Sequence, residues 1–143
     1  MSKTKRQIIL LAFNELGLAS YEYDLTAGEL QSALQKLDDM MAEWEIRNIF
    51  LSYNLSSSSN LNDVSNIPSS CNQAVYTNLA KRIAPSQGKI LSNETKEAAS
   101  RGLKMLQARA SSPPQMSLGS YVVSGAGNRS SVLNQRPFLS TES

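Results

Sequence analysis

The sequence predicts an all-α protein, with a small four-helix core over residues 1–110 and a long extended C-terminal arm over residues 111–143. Three observations lead there. Apolar residues recur at three- and four-residue steps in four separate stretches, the spacing that gathers them on one side of a helix. Three of those stretches open on Thr or Ser with Gln or Glu three positions later, a pairing that satisfies the free N–H groups of a first helical turn. Beyond Ser111 the periodicity stops, and Ser, Gly and Pro accumulate instead. A chain of 143 residues has room for one hydrophobic core.

The first helix starts at Thr4, with Gln7 reaching back to the cap. Ile9, Ala12, Phe13 and Leu16 share a side, and Gly17 is placed to stop the helix with Leu18 closing over it. "IILLAF" follows Lys3, Lys5 and Arg6, which invites comparison with a signal peptide. Asn14 and Glu15 interrupt the apolar run and no cleavage site follows, so it reads as a helix. It is far too short to span a membrane, and no membrane insertion is expected.

After the connector "SYEYDL", the second helix opens at Thr26 with Glu29 as its capping partner. Leu30, Leu34, Leu37, Met41 and Trp44 then form the clearest stripe in the chain and are expected to be core. Within "DDMMAEWE", Met41 and Trp44 belong to that stripe, and Met40 flanks it as core or as an intersubunit contact. Asp38, Asp39, Glu43 and Glu45 fall mainly on the other sides. Adjacent helical residues point about 100° apart, so Asp38 and Asp39 are not a poised acid pair. Asp38 is expected to be a solvated charge.

Residues 52–70 are dense in Ser and Asn, which favour turns over helix. A loop this long is usually functional or mobile; Leu61, Val64 and Ile67 are its candidate pins. The third helix reads "SCNQAVYTNLAKRIAP", with Ser70 and Gln73 as capping box and Val75, Leu79 and Ile83 as core face. Pro85 ends it near Ala84. The fourth runs from Ser92 to Ala110 and presents a narrow face of Thr95, Ala99, Gly102, Leu103, Leu106 and Ala110. Gly102 there points to close helix contact, and Glu97 with Arg101 makes an i,i+4 pair.

The arm carries spaced apolar anchors: Met116, Leu118, Tyr121, Val122, Val123, Phe138 and Leu139. Their burial falls short of the entropy lost in ordering about 30 residues. The arm is therefore expected to be disordered in an isolated copy and to dock on partners. "YVV" is its one strand-like run, suited to adding an edge strand.

Composition excludes several chemistries. There is no His, which removes Ser-His-Asp and Cys-His catalysis and the commonest zinc ligand. Cys71 is the one cysteine, so no disulfide framework exists within the chain. "SGAGNRSS" lacks the Lys-Ser or Lys-Thr of a phosphate-binding loop. Basic and acidic residues number 14 and 12, too even a balance to indicate nucleic acid. Arg82, Lys89, Lys96, Arg101, Lys104 and Arg109 are dispersed rather than clustered. Glu15, Glu22, Asp24, Glu29, Glu43 and Glu45 are available for acid catalysis on a sugar, but no spacing singles one out. No catalytic, cofactor-binding or metal-ligating residue is assigned.

"LAFNELGLAS", "LQSALQKLDDMMAEWEIRNI" and "AVYTNLAKRIAP", in that order and spacing, resemble the tail accessory factors of short-tailed bacteriophages, the family of the phage P22 head-completion (packaged-DNA stabilisation) protein. The resemblance covers about residues 3–110 and extends weakly into "PPQMSLGS". It implies a structural virion protein at the head-tail junction: a ring of twelve copies that binds the portal protein and neighbouring copies. Such a ring extends the channel for packaged double-stranded DNA, retains the genome and receives further tail proteins. It also implies, as an alternative, a virion-associated peptidoglycan-cleaving enzyme. A small DNA-binding helical protein is disfavoured, because no helix carries clustered basic residues.

Overall fold

Thr4 starts the first helix as its spacing predicts. In the computed structural model, which describes residues 2–18 and 24–111, helix α1 spans Lys5–Glu15. The Gln7 N–H donates to Thr4 Oγ1 at 3.3 Å, and Gln7 Oε1 accepts from the Thr4 N–H at 3.1 Å. Its end is closed by Gly17 at φ +73°, a left-handed conformation that costs glycine little. The Gly17 N–H reaches the Asn14 carbonyl and the Leu18 N–H reaches Phe13, each at 3.0 Å. Leu18 is buried over this turn.

Helix α2 spans Ala27–Ile46, with the Thr26–Glu29 capping box formed. At 20 residues it is about 30 Å long. Leu30, Leu34, Leu37, Met41 and Trp44 are all buried along one side, and Met40 is fully buried with them, in the core of this chain.

The start of the third helix differs from expectation. Pro68 leads into a 3-10 turn over Ser69–Cys71, closed by the Cys71 N–H on the Pro68 carbonyl at 2.9 Å. Helix α3 therefore begins only at Asn72 and runs to Ile83, with Cys71 as its uncapped leading residue. The Ser70–Gln73 capping box does not form, because Ser70 lies inside the tighter turn and its hydroxyl faces Cys71 Sγ at 3.7 Å. Cys71 itself is buried. A second 3-10 turn, Ala84–Gln87, carries the chain past Pro85 to Gly88. Helix α4 then spans Asn93–Ala110, with Ser92 Oγ accepting from the Thr95 N–H at 3.1 Å.

Helix α3 is the hub, packing against α1, α2 and α4. Val75, Leu79, Ala80 and Ile83 fill its buried side. Against α4 the approach is set by small residues. A Cβ on Gly102 would lie 2.7 Å from Ala74 Cβ and 2.9 Å from Ala74 Cα, closer than real atoms pack. Asn78 Nδ2 crosses the same contact to the Ala99 carbonyl at 2.9 Å. Thr95, Ala99 and Leu106 are buried there and Leu103 is half-buried, but Ala110 is exposed beyond the contact. The expected Glu97–Arg101 pair is not among the ion pairs of the described residues; both side chains stand on the exposed face. The described residues contain no strand, only an isolated bridge between Thr4 and Val64. No described helix is long and apolar enough to cross a membrane.

Candidate interface

The segment after α2 is extended and tightly held. Asn48, at φ +61°, turns the chain out of the helix, and Ser52, at φ +57°, turns it again. Between and after them the side chains alternate. Ile49, Leu51 and Tyr53 are buried, while Phe50 is 72% exposed and Ser52 faces outward. Period-two alternation is the mark of an extended segment with one face on a core.

Its far end is clamped by Lys5. This first residue of α1 is completely buried. Its Nζ donates to the Asn54 carbonyl at 2.7 Å and to Ser59 Oγ at 2.6 Å, and pairs with Asp38 Oδ1 at 3.5 Å. The ammonium also lies 4.6 Å from the centre of the Tyr53 ring, within cation–π range. The Tyr53 hydroxyl donates to the same Asp38 oxygen. Burial pushes the phenol well above its ordinary value, reinforced by the Asp38 bond and charge, so Tyr53 remains a donor throughout the physiological range. Asp38 is thus a bonded partner, not the solvated charge its place on the polar side of α2 suggested.

The loop over residues 52–68 is pinned by more than Lys5. A first helical turn leaves N–H groups without helical partners, and here the loop supplies them. The Lys5 N–H donates to Asp63 at 2.9 Å and the Arg6 N–H to Leu61 at 2.8 Å. The Ser65 N–H and hydroxyl both reach the Lys3 carbonyl, at 3.0 and 2.6 Å. Of the expected pins, Ile67 is buried and Leu61 packs against the core. Val64 is exposed and holds through its backbone bridge instead.

Beside the extended segment lies a groove of about 310 Å³, lined by Asn48, Phe50, Pro68, Leu106, Arg109 and Ala110 among others. Among the described residues, no backbone carbonyl accepts from the N–H groups of Phe50, Leu51, Ser52 or Tyr53. Ile46, 83% exposed, stands at the end of α2 just before this edge. Another exposed apolar side chain, Ile90 at 91%, lies elsewhere, after the turn whose Ser86 Oγ accepts from Lys36 Nζ at 2.6 Å. From Lys36 to Ile46 α2 rises by about 15 Å, which sets the Ser86 turn apart from Ile46.

Several carboxylates on α1 and α2 have structural partners, while Asp39 and Glu45 are exposed and make no ion pair among the described residues. Glu43 pairs with Arg47 one turn on and with Arg82 of α3. The Arg82 hydrogen bond, aided by both guanidinium charges, holds its carboxyl below the ordinary value. The capping bonds to Thr26 do the same for Glu29. Glu15 accepts from Thr95 Oγ1 at 3.2 Å. Glu22 lies outside the described residues, as do all the arm anchors: Met116, Leu118, Tyr121, Val122, Val123, Phe138 and Leu139. The core positions Leu30, Leu34, Leu37, Met41, Trp44, Val75, Leu79 and Ile83 lie together in one buried cluster. Lys5 and the Phe50 edge are the features that sequence reasoning missed.

Comparison with known families places the chain. A family profile described as P22 tail accessory factor matches residues 1–143. The chain belongs to the P22 tail accessory factor family. No curated protein matches it. As a tail accessory factor it is a bacteriophage virion component, and membership points to a structural role rather than an enzymatic one. The helical core of this tail accessory factor therefore invites reading as a scaffold for contacts.

Proposed function

We propose that this tail accessory factor is a head-to-tail adaptor. Twelve copies form a ring at the head-tail junction that binds the portal protein, extends the DNA channel, retains the packaged genome and offers a platform for further tail proteins. The observation that carries this reading is the family match across residues 1–143. The surface is consistent with it. Ile46 and Phe50, four residues apart, are both largely exposed, as suits a component that packs against partners. Residues 111–143 serve as an assembly arm, laid along the portal or an adjacent copy. The sequence supports this through spaced apolar anchors that cannot hold the arm by their own burial.

Native mass spectrometry of the full chain mixed with its portal ring tests the proposal. A complex carrying twelve copies per portal is expected. Truncation after Ala110 is expected to leave the helical circular dichroism unchanged while sharply weakening that complex. Absence of any complex at micromolar concentrations would overturn the adaptor reading. Undiminished binding by the truncated chain would overturn the role of the arm.

A further inference from the structure

Along the extended segment Ile49–Tyr53 alternate N–H groups face opposite edges, so Phe50 and Ser52 share one edge and Leu51 and Tyr53 the other. Four consecutive N–H groups, Phe50 to Tyr53, lack a backbone acceptor among the described residues. The segment is not loose, because Ile49, Leu51 and Tyr53 are buried and Asp38 and Lys5 fix the last of them. A rigid, extended segment with two N–H groups free on one edge among the described residues, beside a groove lined by both apolar and polar side chains, is a surface to which a further strand adds. The left-handed residues Asn48 and Ser52 limit the straight run to about three residues.

We propose that this edge and its groove receive Tyr121–Val123 of a second copy of the chain. The inference rests on the ring reading above and names the receptor for the arm. Three considerations select the occupant. Tyr-Val-Val is the strand-forming run of the arm, free of Pro and Gly, and its three residues match the straight length of the edge. On an added strand Tyr121 and Val123 share one face, which meets the groove wall of Phe50, Pro68, Leu106 and Ala110. The donor is a second copy because of how the chain continues. Ala110 lines the groove, yet Pro113 and Pro114 follow three residues later. Consecutive prolines fix φ and hold the preceding residue extended, which disfavours an immediate reversal onto the same groove. The ten steps from Ser111 to Tyr121 span up to about 35 Å, on the scale of one small domain and so of an adjacent copy.

The test uses two full-length variants, both with Cys71→Ala: one carries Ser52→Cys and the other Val122→Cys. They are mixed with the portal ring and treated with a short bifunctional maleimide. The expected product is a linked pair of chains, at least tenfold more abundant than with Ser143→Cys as the donor. A chain carrying both cysteines should give a ladder of linked oligomers. An internal bridge alone, or linkage no greater than the control, overturns the proposal. Hydrogen exchange of Phe50–Tyr53 should slow at least tenfold on assembly, and Val122→Pro, which removes a strand donor, should abolish that protection. Native mass spectrometry on the same samples separates the two readings. A ring without the linkage sinks this inference and leaves the adaptor standing. Without a ring the adaptor reading fails, and linkage is then read on the protein alone at high concentration, where its absence overturns the inference and its presence sustains it.

Discussion

Replacing Lys5 by Met isolates what the buried ammonium does. Met keeps most of the side-chain volume, so the cavity contribution is small. What is lost is the pair of short bonds to the Asn54 carbonyl and Ser59 Oγ, at 2.7 and 2.6 Å. Bonds to a charged group contribute about 1.5–3 kcal/mol each, while Asn54 is exposed and Ser59 half-buried, so water partly replaces the lost donor. Against this, burying the ammonium carried its own desolvation cost, which Met avoids. Asp38 retains the Tyr53 hydroxyl, and its side chain is 23% exposed, so its carboxylate is rehydrated rather than stranded. The balance is a loss of about 2–3 kcal/mol, set mainly by the two lost bonds to the ammonium. With a urea slope of about 1.5 kcal/mol/M, the unfolding midpoint should fall by about 1.3–2 M. Amides of Asn54 and Ser65, which tie the loop together, should exchange faster than the global loss of stability explains. Asp38→Asn should cost only about 1 kcal/mol, because an amide oxygen still accepts from Tyr53 and the ion pair is long at 3.5 Å. An unchanged midpoint for Lys5→Met would refute the clamp, and an equal loss in Asp38→Asn would shift it from the two loop bonds to the ion pair.

Trp44, 2% exposed, should cost about 3–5 kcal/mol when cut to Ala, read as a urea midpoint. Gly102→Ala should lower the thermal midpoint by an amount equivalent to about 1–3 kcal/mol despite its gain in helix propensity, because the clash at 2.9 Å is with Ala74 Cα; a stabilised variant would show that the α3–α4 contact is looser than described. Glu43→Gln tests the interhelical pair by its pH dependence. The folded carboxyl lies below 4.5, so its stabilisation is complete above that value and is lost as pH falls through the folded one. With the side chain 37% exposed, solvent screening holds the effect under about 1 kcal/mol at pH 7, and variant and wild-type unfolding curves should converge in acid.

The helices were legible because their causes are local. Thr4 with Gln7 and Thr26 with Glu29 are three apart, and the α2 stripe repeats every turn. The Ser70–Gln73 box matched the same local pattern and failed, since Pro68 imposed a tighter turn first. Lys5 was illegible for the opposite reason. Its partners Asp38, Asn54 and Ser59 lie 33, 49 and 54 residues away, and no window along the sequence brings them together. Read locally, it was one more cation at a helix start, and the Ser-rich stretch it anchors looked like an unfastened loop. Phe50 fell between two readings, an apolar residue with neither helical nor strand periodicity around it. Only the burial of Ile49, Leu51 and Tyr53 on either side shows that its exposure is imposed.

That imposition bears on assembly. A non-glycine residue in the left-handed region costs about 1 kcal/mol or more and persists only where its surroundings over-determine it. Ser52 does this, and Asn48 takes the same region at the end of α2 after Arg47, where Asn is tolerated, although the helical core beneath has its own buried cluster and its own caps. Two inward side chains and the Lys5–Asp38–Tyr53 clamp hold the segment between them extended. Docking on a mobile loop would add the cost of ordering that loop to the cost of ordering the incoming segment. A receptor already fixed leaves only the second. On the adaptor reading this difference recurs at every copy, and contacts too weak to hold singly become a closed ring when linked. Stiffness at residues 48–53, rather than a larger interface, is then what lets a domain of this size act as a joint.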